Sequence, residues 1–515
     1  MSSTSVRQKQ PLITILGATG TGKSELAVHL ALKLNGEVIN GDALQLYQGL
    51  PIVTNKIAQA EQHGIRHHLL DIVALEEPTW IVSRFVREAS RIVDDVRNRG
   101  KIPILVGGTH YYLQSMLFAD VLVQKHNLAD ETELPTLQDD MKGNDTVHFI
   151  TDEELNTKWP ILRAGPEAIR AELMRVDPVM ASKWHPNDHR KIRRSLVIFL
   201  QTGRLASEIY AGQARKRQTK SSSNAVKDSD DETLNPQHVD SLQYNNLLFW
   251  TYTQMDELDI RLEKRVDKMI KRGLIDEIKL LDDFRRQRER DKSPVQLDRG
   301  IWNAIGYKEF AGYLSAVNDP HTRQSEEQIK AALAHSKELT FIATRQYARS
   351  QIKWIKHKIL PTLRSTGIPD KLYLLDSTKI DSFTTEVCDR AAEIANQWLS
   401  NKPIPHPKTI SETSLTVLTG LENPRQTAER SPHVCEDCGV TVMTDEDWQN
   451  HIRNVKHRRR QKRKLQDARN PQNLARRERS KQNESVPDND EETNDSSIGL
   501  AELDISSPDE HVAQS

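Results

Sequence analysis

The stretch PLITILGATGTGKSELAVHLALKL, residues 11–34, constrains the fold more than any other part of the chain. An apolar, β-branched run from Leu12 to Leu16 leads into Gly17, Gly20, Gly22, Lys23 and Ser24, and apolar residues then recur at helical spacing at Leu26, Ala27, Leu30 and Leu34. The order strand, glycine loop, helix with the spacing GxxxxGK[ST] describes a phosphate cradle. Backbone N–H groups close around phosphate oxygens, the helix N-terminus adds positive potential, the lysine supplies a point charge, and the serine hydroxyl can hold Mg²⁺. Such a loop belongs at the carboxyl end of a strand in an α/β sheet. It leaves open which phosphorylated molecule is bound.

The following segments continue the α/β pattern. GEVING, residues 36–41, reads as a second short strand ending at Asp42, and a carboxylate just past a strand end lies on the face where α/β proteins bind ligands. The same residue also suits an Asx-type turn. GIRHHLL (64–70), a helical stretch around Val82 to Arg99, and a strand KIPILVGGTHYYLQ (101–114) come next. That third strand ends Gly107, Gly108, Thr109, with no carboxylate of the kind that helps a nucleotide hydrolase place Mg²⁺.

From about Val121 to Gly203 the pattern is polar and helical, ending in HPNDHRKIRRSLVIFLQTG, where Arg190, Lys191, Arg193 and Arg194 crowd little more than one turn. A solvated charged face and a nucleic-acid backbone contact both fit. Residues 214–244 are poor in apolar side chains and read as a disordered insertion. Order resumes at LLFWTYT (247–253), a strand returning to the sheet, followed by a helix with Leu258, Leu262, Val266, Met269 and Ile270 on one face and with Arg261 and Arg265 four apart.

The 515-residue chain carries a formal net charge of −1, but unevenly. Lys456 to Lys481 holds twelve Lys or Arg against two acidic residues, and Glu484 to the end holds ten acidic residues and no Lys or Arg. Three cysteines, Cys388, Cys435 and Cys438, exclude a disulfide framework and fit a reducing compartment. No apolar run reaches membrane-spanning length, and the polar residues before Pro11 make no secretory signal. Near the C-terminus, Cys435-x2-Cys438-x12-His451-x5-His457 has ligands of the right type at Cys2His2 spacing for a structural Zn²⁺, with Trp448 as a small-core residue. The basic stretch HRRRQKRK that follows suits phosphate contacts or a nuclear-localisation signal.

Seven blocks in order, GATGTGKS, GDALQLYQGLPIVTNK, GGTHYYLQ, HPNDHRKIRR, RLEKRVDKM, GIWNAIGYKEF and TRQYARSQIKW, resemble the tRNA dimethylallyltransferases, and the resemblance covers roughly Pro11 to Ser400. It implies an α/β fold with a P-loop kinase-like parallel sheet and an inserted helical tRNA-binding domain, beside a small ββα-like zinc finger. The expected boundaries are 11–120 and 245–400 for the core, 121–213 for the helical insertion, 214–244 for the disordered one, 401–430 for a linker, 431–465 for the finger and 466–515 for a charged disordered tail. The implied reaction moves a dimethylallyl group from dimethylallyl diphosphate to N6 of the adenosine just 3′ of the anticodon.

The resemblance also implies roles. Asp42 matches the family's catalytic aspartate, Thr19 lies beside the reacting centre, and Arg265 matches an arginine that clamps the diphosphate together with Gly17, Gly20, Thr21, Gly22, Lys23 and Ser24. Asp42, Ala43, Leu44, Gln45, Thr109, Arg190, Lys191, Ile192, Arg193 and Arg194 match tRNA-contacting positions. Expected cofactors are Mg²⁺ on Ser24 and a structural Zn²⁺ on Cys435, Cys438, His451 and His457. A cytoplasmic monomer is expected, with nuclear and mitochondrial pools compatible with the basic arms. The chain departs from the family at Gly41 and Ala43, where serines commonly flank the aspartate. A P-loop nucleotide kinase or ATPase with an RNA-binding zinc finger, or a nucleic-acid-binding module with a degenerate core, shares parts of the pattern.

Overall fold

The computed structural model describes residues 10–118, 152–212, 242–297, 299–318, 325–366, 368–422 and 430–469. The insertion expected at 214–244, up to residue 241, and the tail beyond residue 469 lie outside them, as do residues 119–151 of the helical insertion and 423–429 of the expected linker. The chain divides into two units, one holding residues up to Thr427 apart from His185–Asn187, the other holding those three residues and the chain from Ala428.

Six strands make the sheet of the first unit: β1 (Pro11–Gly17), β2 (Gly36–Asn40), β3 (His67–His68), β4 (Ile102–Val106), β5 (Asn245–Tyr252) and β6 (Leu372–Asp376). They run in the order β3-β2-β4-β1-β5-β6, every pair parallel. A parallel sheet is covered on both faces, which is why its strands read as nearly unbroken apolar runs. In β1, Leu12 and Leu16 join one core with Leu105, Trp250 and Phe85, and Ile13 and Ile15 join the other with Leu26, Leu30, Phe249 and Tyr373. The apolar stripe of α1 (Lys23–Leu34) covers that second face. Helix α2 (Val82–Asn98) covers the first, through Phe85, Ala89 and Val93.

Strand β4, expected from sequence over 101–114, is shorter than that stretch. Pairing stops at Val106, and α3 (His110–Leu117) starts after the Gly107–Thr109 turn, so the HYYLQ stretch is helical. Its aromatics serve helix packing: Tyr112 stacks on Phe85 at 4.4 Å and its hydroxyl donates to the Trp80 carbonyl.

Helices α4 (Asp152–Lys158), α5 (Pro166–Val176), α6 (Pro178–Lys183) and α7 (His189–Thr202) carry a core of their own, with Leu173, Met180, Ile192 and Leu196 at its centre. Asp188 and Asp177 cap α7 and α6 through backbone N–H groups of Lys191 and Met180. A 29-residue helix, Glu326–Trp354, opens with a Ser325 capping box and carries the face that meets the α/β core near Gly108.

Residues 401–422 correct the expected linker. A turn at Pro407–Thr409 and a helix at Glu412–Gly420 bury Ile410, Ser414 and Leu418, while Tyr373 and Arg364 donate to the carbonyls of Pro405 and Leu421 at 2.7 and 2.6 Å. The few apolar residues in ISETSLTVLTGL are too widely diluted by Ser and Thr to announce burial from sequence, yet two well-placed ones, Ile410 and Leu418, suffice.

The second unit pairs β7 (Arg430–Val434) with β8 (Thr441–Thr444) as an antiparallel hairpin, followed by helices Asp445–Arg453 and Val455–Arg469. Trp448 stacks between His433 and His451 at 5.2 and 5.7 Å.

Candidate active site

The loop after β1 has the shape a phosphate cradle needs. Gly20 and Gly22 both sit at φ 83°, a left-handed conformation that side chains disfavour, and Gly22 leads directly into α1. The Thr21 hydroxyl turns inward to the Ala18 carbonyl and to Thr251 Oγ1, at 2.8 and 2.7 Å. Among the expected diphosphate ligands, Thr21 therefore shapes the loop with its side chain and can offer only its backbone N–H. Ser24 stands exposed in the first turn of α1. Lys23 Nζ donates to the Ala18 carbonyl at 2.6 Å, holding its charge over the loop. Below it, the buried ring of His110 accepts from the Gly17 N–H at 3.3 Å. Burial, reinforced by Lys23, lowers the His110 pKa to about 3, so the ring is neutral.

Asp42 follows β2. Asn40 shapes its turn, accepting from the Asp42 N–H at 3.0 Å and donating to the Asp42 and Leu69 carbonyls. Asp42 Oδ1 accepts from the Leu44 N–H at 3.1 Å, the Asx turn its sequence suits, and the carboxylate also accepts from the Gly108 N–H. The Asx-turn reading of Asp42 holds, and its carboxylate also faces the glycine turn after β4. The Ala43 N–H donates to Thr109 Oγ1 at 3.0 Å, so with no serine at position 43 the link between the two turns runs through backbone. Gln45 is an internal brace, its Nε2 donating to the Thr54 and Asn55 carbonyls, and Leu44 packs against the core.

Gly107 permits the two turns to touch. A Cβ there would lie 2.3 Å from the Gly41 carbonyl carbon. Gly107→Ala is expected to cost about 1–3 kcal/mol of stability through overpacking and to lower activity by displacing Gly41 and Asp42. Chemical denaturation and steady-state kinetics on the same preparation check both.

Side chains remote in sequence hold this arrangement. The Gln351 amide bridges the phosphate loop and the glycine turn, accepting from the Thr19 N–H and donating to the Gly108 carbonyl, each at 2.8 Å. Glu277 accepts from the N–H groups of Ile52 and Val53, at 2.9 and 2.8 Å. Buried Lys56 donates to the carbonyls of Tyr47 and Gly49 and pairs with Asp71. Sequence reasoning misses all three. Gln351 and Lys56 lie inside distinctive stretches, SQIKW and TNK, but nothing local announces partners up to 332 residues away.

Asp42, Lys23 and Arg265 converge electrostatically. Each keeps some accessible surface, yet protein packs densely enough around all three for desolvation to dominate. Burial lowers the Lys23 pKa to about 8, opposed by Asp42, and lowers that of Arg265 to about 10. It raises that of Asp42, against the pull of Leu44 and Gly108 N–H groups and of both cations. Two cations and one carboxylate leave a local charge of +1, suited to a polyanion. Arg265 is thus no surface charge. Arg261, one turn earlier, donates to the Thr378 carbonyl at 2.7 Å and braces the loop after β6.

On α7, Arg190, Lys191 and Arg194 are exposed. Ile192 is buried in the core of the helical insertion, so its expected tRNA contact cannot be made by its side chain. Arg193 donates to Asn156 Oδ1 at 2.8 Å.

In the second unit, one ligand atom from each of Cys435, Cys438, His451 and His457 lies within 4.8 Å of the others. His457 Nδ1 is 3.6 and 3.3 Å from the two sulfurs. A tetrahedral Zn²⁺ with ordinary bond lengths sets a sulfur–nitrogen separation of about 3.6 Å, so the donor set fits that ion.

A glycine loop after the first strand, an acid at the next strand end and an arginine acting on that acid, mounted on a parallel sheet with a helical insertion, make a P-loop-like fold. The sequence model of the IPP transferase family matches residues 45–358. The tRNA dimethylallyltransferase of Schizosaccharomyces pombe is 34% identical over 480 residues, covering 89% of this chain and 96% of that protein. That of Saccharomyces cerevisiae is 32% identical, covering 90% and 95%. A solved eukaryotic dimethylallyltransferase acting on tRNA superposes with a TM-score of 0.65 at 31% identity, over 89% of this chain and 98% of that one. The chain belongs to the tRNA dimethylallyltransferase family and is a transferase that modifies tRNA. Among the described residues, no helix is long and apolar enough to cross a membrane.

Proposed function

We propose that Asp42 is the general base that takes the proton from N6 of the adenosine 3′-adjacent to the anticodon, as that nitrogen bonds to C1 of dimethylallyl diphosphate. The C1–oxygen bond breaks with its electron pair on the departing diphosphate. An exocyclic adenine amine is a poor nucleophile because its lone pair is delocalised into the ring, which is why a base at the nitrogen matters. The observation that carries this reading is the set of Asp42, Lys23 and Arg265 acting on one another at the mouth of the phosphate loop.

Lys23, Arg265 and the N–H groups of Gly20, Thr21, Gly22 and Lys23 would hold the diphosphate and stabilise its charge on departure. Gly17 shapes the loop, and Thr19, fixed through Gln351, would border the reacting carbon. Ser24, exposed at the start of α1, would hold Mg²⁺, which when bound adds positive charge on the leaving diphosphate. Ala43, Leu44, Gln45 and Thr109 would shape the surface that receives the anticodon loop, and Arg190, Lys191, Arg193 and Arg194 would neutralise its phosphates, with Ile192 anchoring their helix. The Cys2His2 group would take Zn²⁺ as a structural ion and organise the basic helix that follows it. The enzyme would act as a monomer wherever tRNA resides, in the cytoplasm with nuclear and mitochondrial pools.

Incubation with dimethylallyl diphosphate, Mg²⁺ and unmodified tRNA is expected to add one dimethylallyl group to the adenosine 3′ of the anticodon, read by mass analysis of nucleosides. Absence of the prenyl mass, with Asp42-dependent hydrolysis of ATP in its place, would replace this reading by that of a P-loop ATPase.

A further inference from the structure

Consecutive tyrosines on α3 have opposite fates. Tyr112 is buried against Phe85, whereas Tyr111, about 100° further round the helix, is 42% exposed beside the catalytic turn. The Tyr111 ring lies edge-on to the partly exposed indole of Trp354, with centroids 6.0 Å apart. Trp354 does not swing freely: its Nε1–H donates to Gln114 Oε1 at 2.9 Å, from the same face of α3 that carries Tyr111. The two aromatics end a seam along which the long helix meets the turn after β4. Tyr347 and Gln351 donate to the Gly108 carbonyl, and Trp354, one further turn along, meets α3. At the inner end of that seam Gly108 binds Asp42, and near its outer end Arg194 of α7 is close enough to act on the Tyr111 hydroxyl. The mechanism above uses neither aromatic ring.

We propose that Tyr111 and Trp354 form a fixed stacking platform for the nucleobase that flanks the reacting adenosine in the anticodon loop. The proposal rests on the reading that an adenosine in tRNA is attacked at Asp42. To reach a carboxylate around which protein packs so densely, that adenosine must leave the stack of its neighbours, and a base so unstacked gains from an aromatic face in compensation. The platform suits this: it is rigid before binding, so little side-chain freedom is lost, and it adjoins both the catalytic turn and a cation. Stacking is tolerant of base identity, so the platform would position the loop more than read its sequence.

The test uses the full chain with Tyr111→Ala, Tyr111→Phe and Trp354→Phe, and unmodified tRNA carrying an abasic residue at either neighbour of the target adenosine. Wild-type prenylation of intact tRNA is the control for the underlying reading, and its failure would be visible independently of any variant. Tyr111→Ala is expected to raise the KM for tRNA by about 5- to 150-fold, the range that base–aromatic stacking spans, with kcat and the KM for dimethylallyl diphosphate little changed. Tyr111→Phe should behave as wild type, because the ring and not the hydroxyl is used, and Trp354→Phe should fall between. An abasic residue at one flank should weaken wild type by a similar factor and Tyr111→Ala hardly at all, since the partner is already gone. Equal losses for wild type and Tyr111→Ala at both abasic positions would overturn the proposal. So would a Tyr111→Ala defect confined to the KM for dimethylallyl diphosphate, which would assign the ring to the prenyl group. Because Tyr111 is exposed, its truncation leaves the core intact, and an unchanged melting temperature accompanies the expected result.

Discussion

Asp42→Asn is expected to lower kcat by about 10²–10⁴-fold, the usual contribution of a positioned general base, while tRNA binds within about fivefold of wild type, the equivalent of one hydrogen bond. Asparagine is the informative substitution because its side-chain oxygen can still accept from the Leu44 N–H that Oδ1 accepts in the native turn. Asp42→Ala removes that bond too, and should be no less inactive. The pH dependence follows from the direction of each shift. Burial raises the Asp42 pKa, so the carboxylate is protonated, and kcat/KM falls, at a higher pH than an ordinary aspartate would give. On the alkaline side Lys23 loses its charge near pH 8 in the free enzyme, so kcat/KM for dimethylallyl diphosphate declines as pH rises through that value. Bound diphosphate favours the charged lysine and moves that limb upward in kcat. In Asp42→Asn the acidic limb should vanish and the residual rate become flat below neutrality. Retention of substantial turnover by Asp42→Asn would remove Asp42 from the role of base.

Stripping metal from the Cys2His2 group, or replacing Cys435 by serine, is expected to unfold the second unit and leave the first intact. Structural Zn²⁺ in such small units contributes about 10–16 kcal/mol to folding, more than a hairpin and two short helices can replace. Trp448 stacks on His433 and His451, the latter one of the four ligands, so losing the metal loosens its packing. The helix Val455–Arg469 carries eight Lys or Arg against one acid, so tRNA affinity should fall by tenfold or more at moderate salt. The dependence of log Kd on log salt should flatten, by about 0.7–0.9 for each phosphate that the unit ceases to neutralise. At saturating tRNA, kcat should be preserved, because no residue of the proposed chemistry lies in this unit. Truncation after Glu422 should reproduce the effect, whereas truncation at residue 401 would cut into the packing of Ile410 and Leu418 and destabilise the catalytic unit. Tryptophan fluorescence, limited proteolysis and tRNA binding at several salt concentrations read these outcomes. Unchanged affinity and salt slope after verified metal loss would show that the second unit has another task.

The phosphate loop, the acid at Asp42, the β5 strand and the Cys2His2 spacing are all legible in the linear chain, because each is a local pattern. Glycines at required backbone angles, apolar runs with period two or 3.6, and ligands at fixed spacing carry their meaning within a few residues of one another. The point at which β4 gives way to α3 is less clear, since HYYL suits strand and helix alike and only the packing of Tyr112 on Phe85 selects the helix. Residues 401–422 escape a linear reading for a related reason: their burial is created by the surface they land on.

What tertiary structure alone decided concerns charge and distance. Arg261 and Arg265 share one helix face by spacing alone, and only the family resemblance sets Arg265 apart, yet in the fold one braces the loop after β6 and the other acts on Asp42 and Lys23. Ile192 sits among exposed cations and points into a core, and the Thr21 hydroxyl sits in the glycine loop and turns inward to Thr251. Gln351, Glu277 and Lys56 fix the catalytic turns from hundreds of residues away or from inside the loop itself. By itself the sequence determined which chemical groups are present and which local shapes they take. Which of those groups share a low-dielectric space was decided by the closing of the sheet and the docking of the long helix, because the field at Asp42 depends on distances that no local pattern specifies.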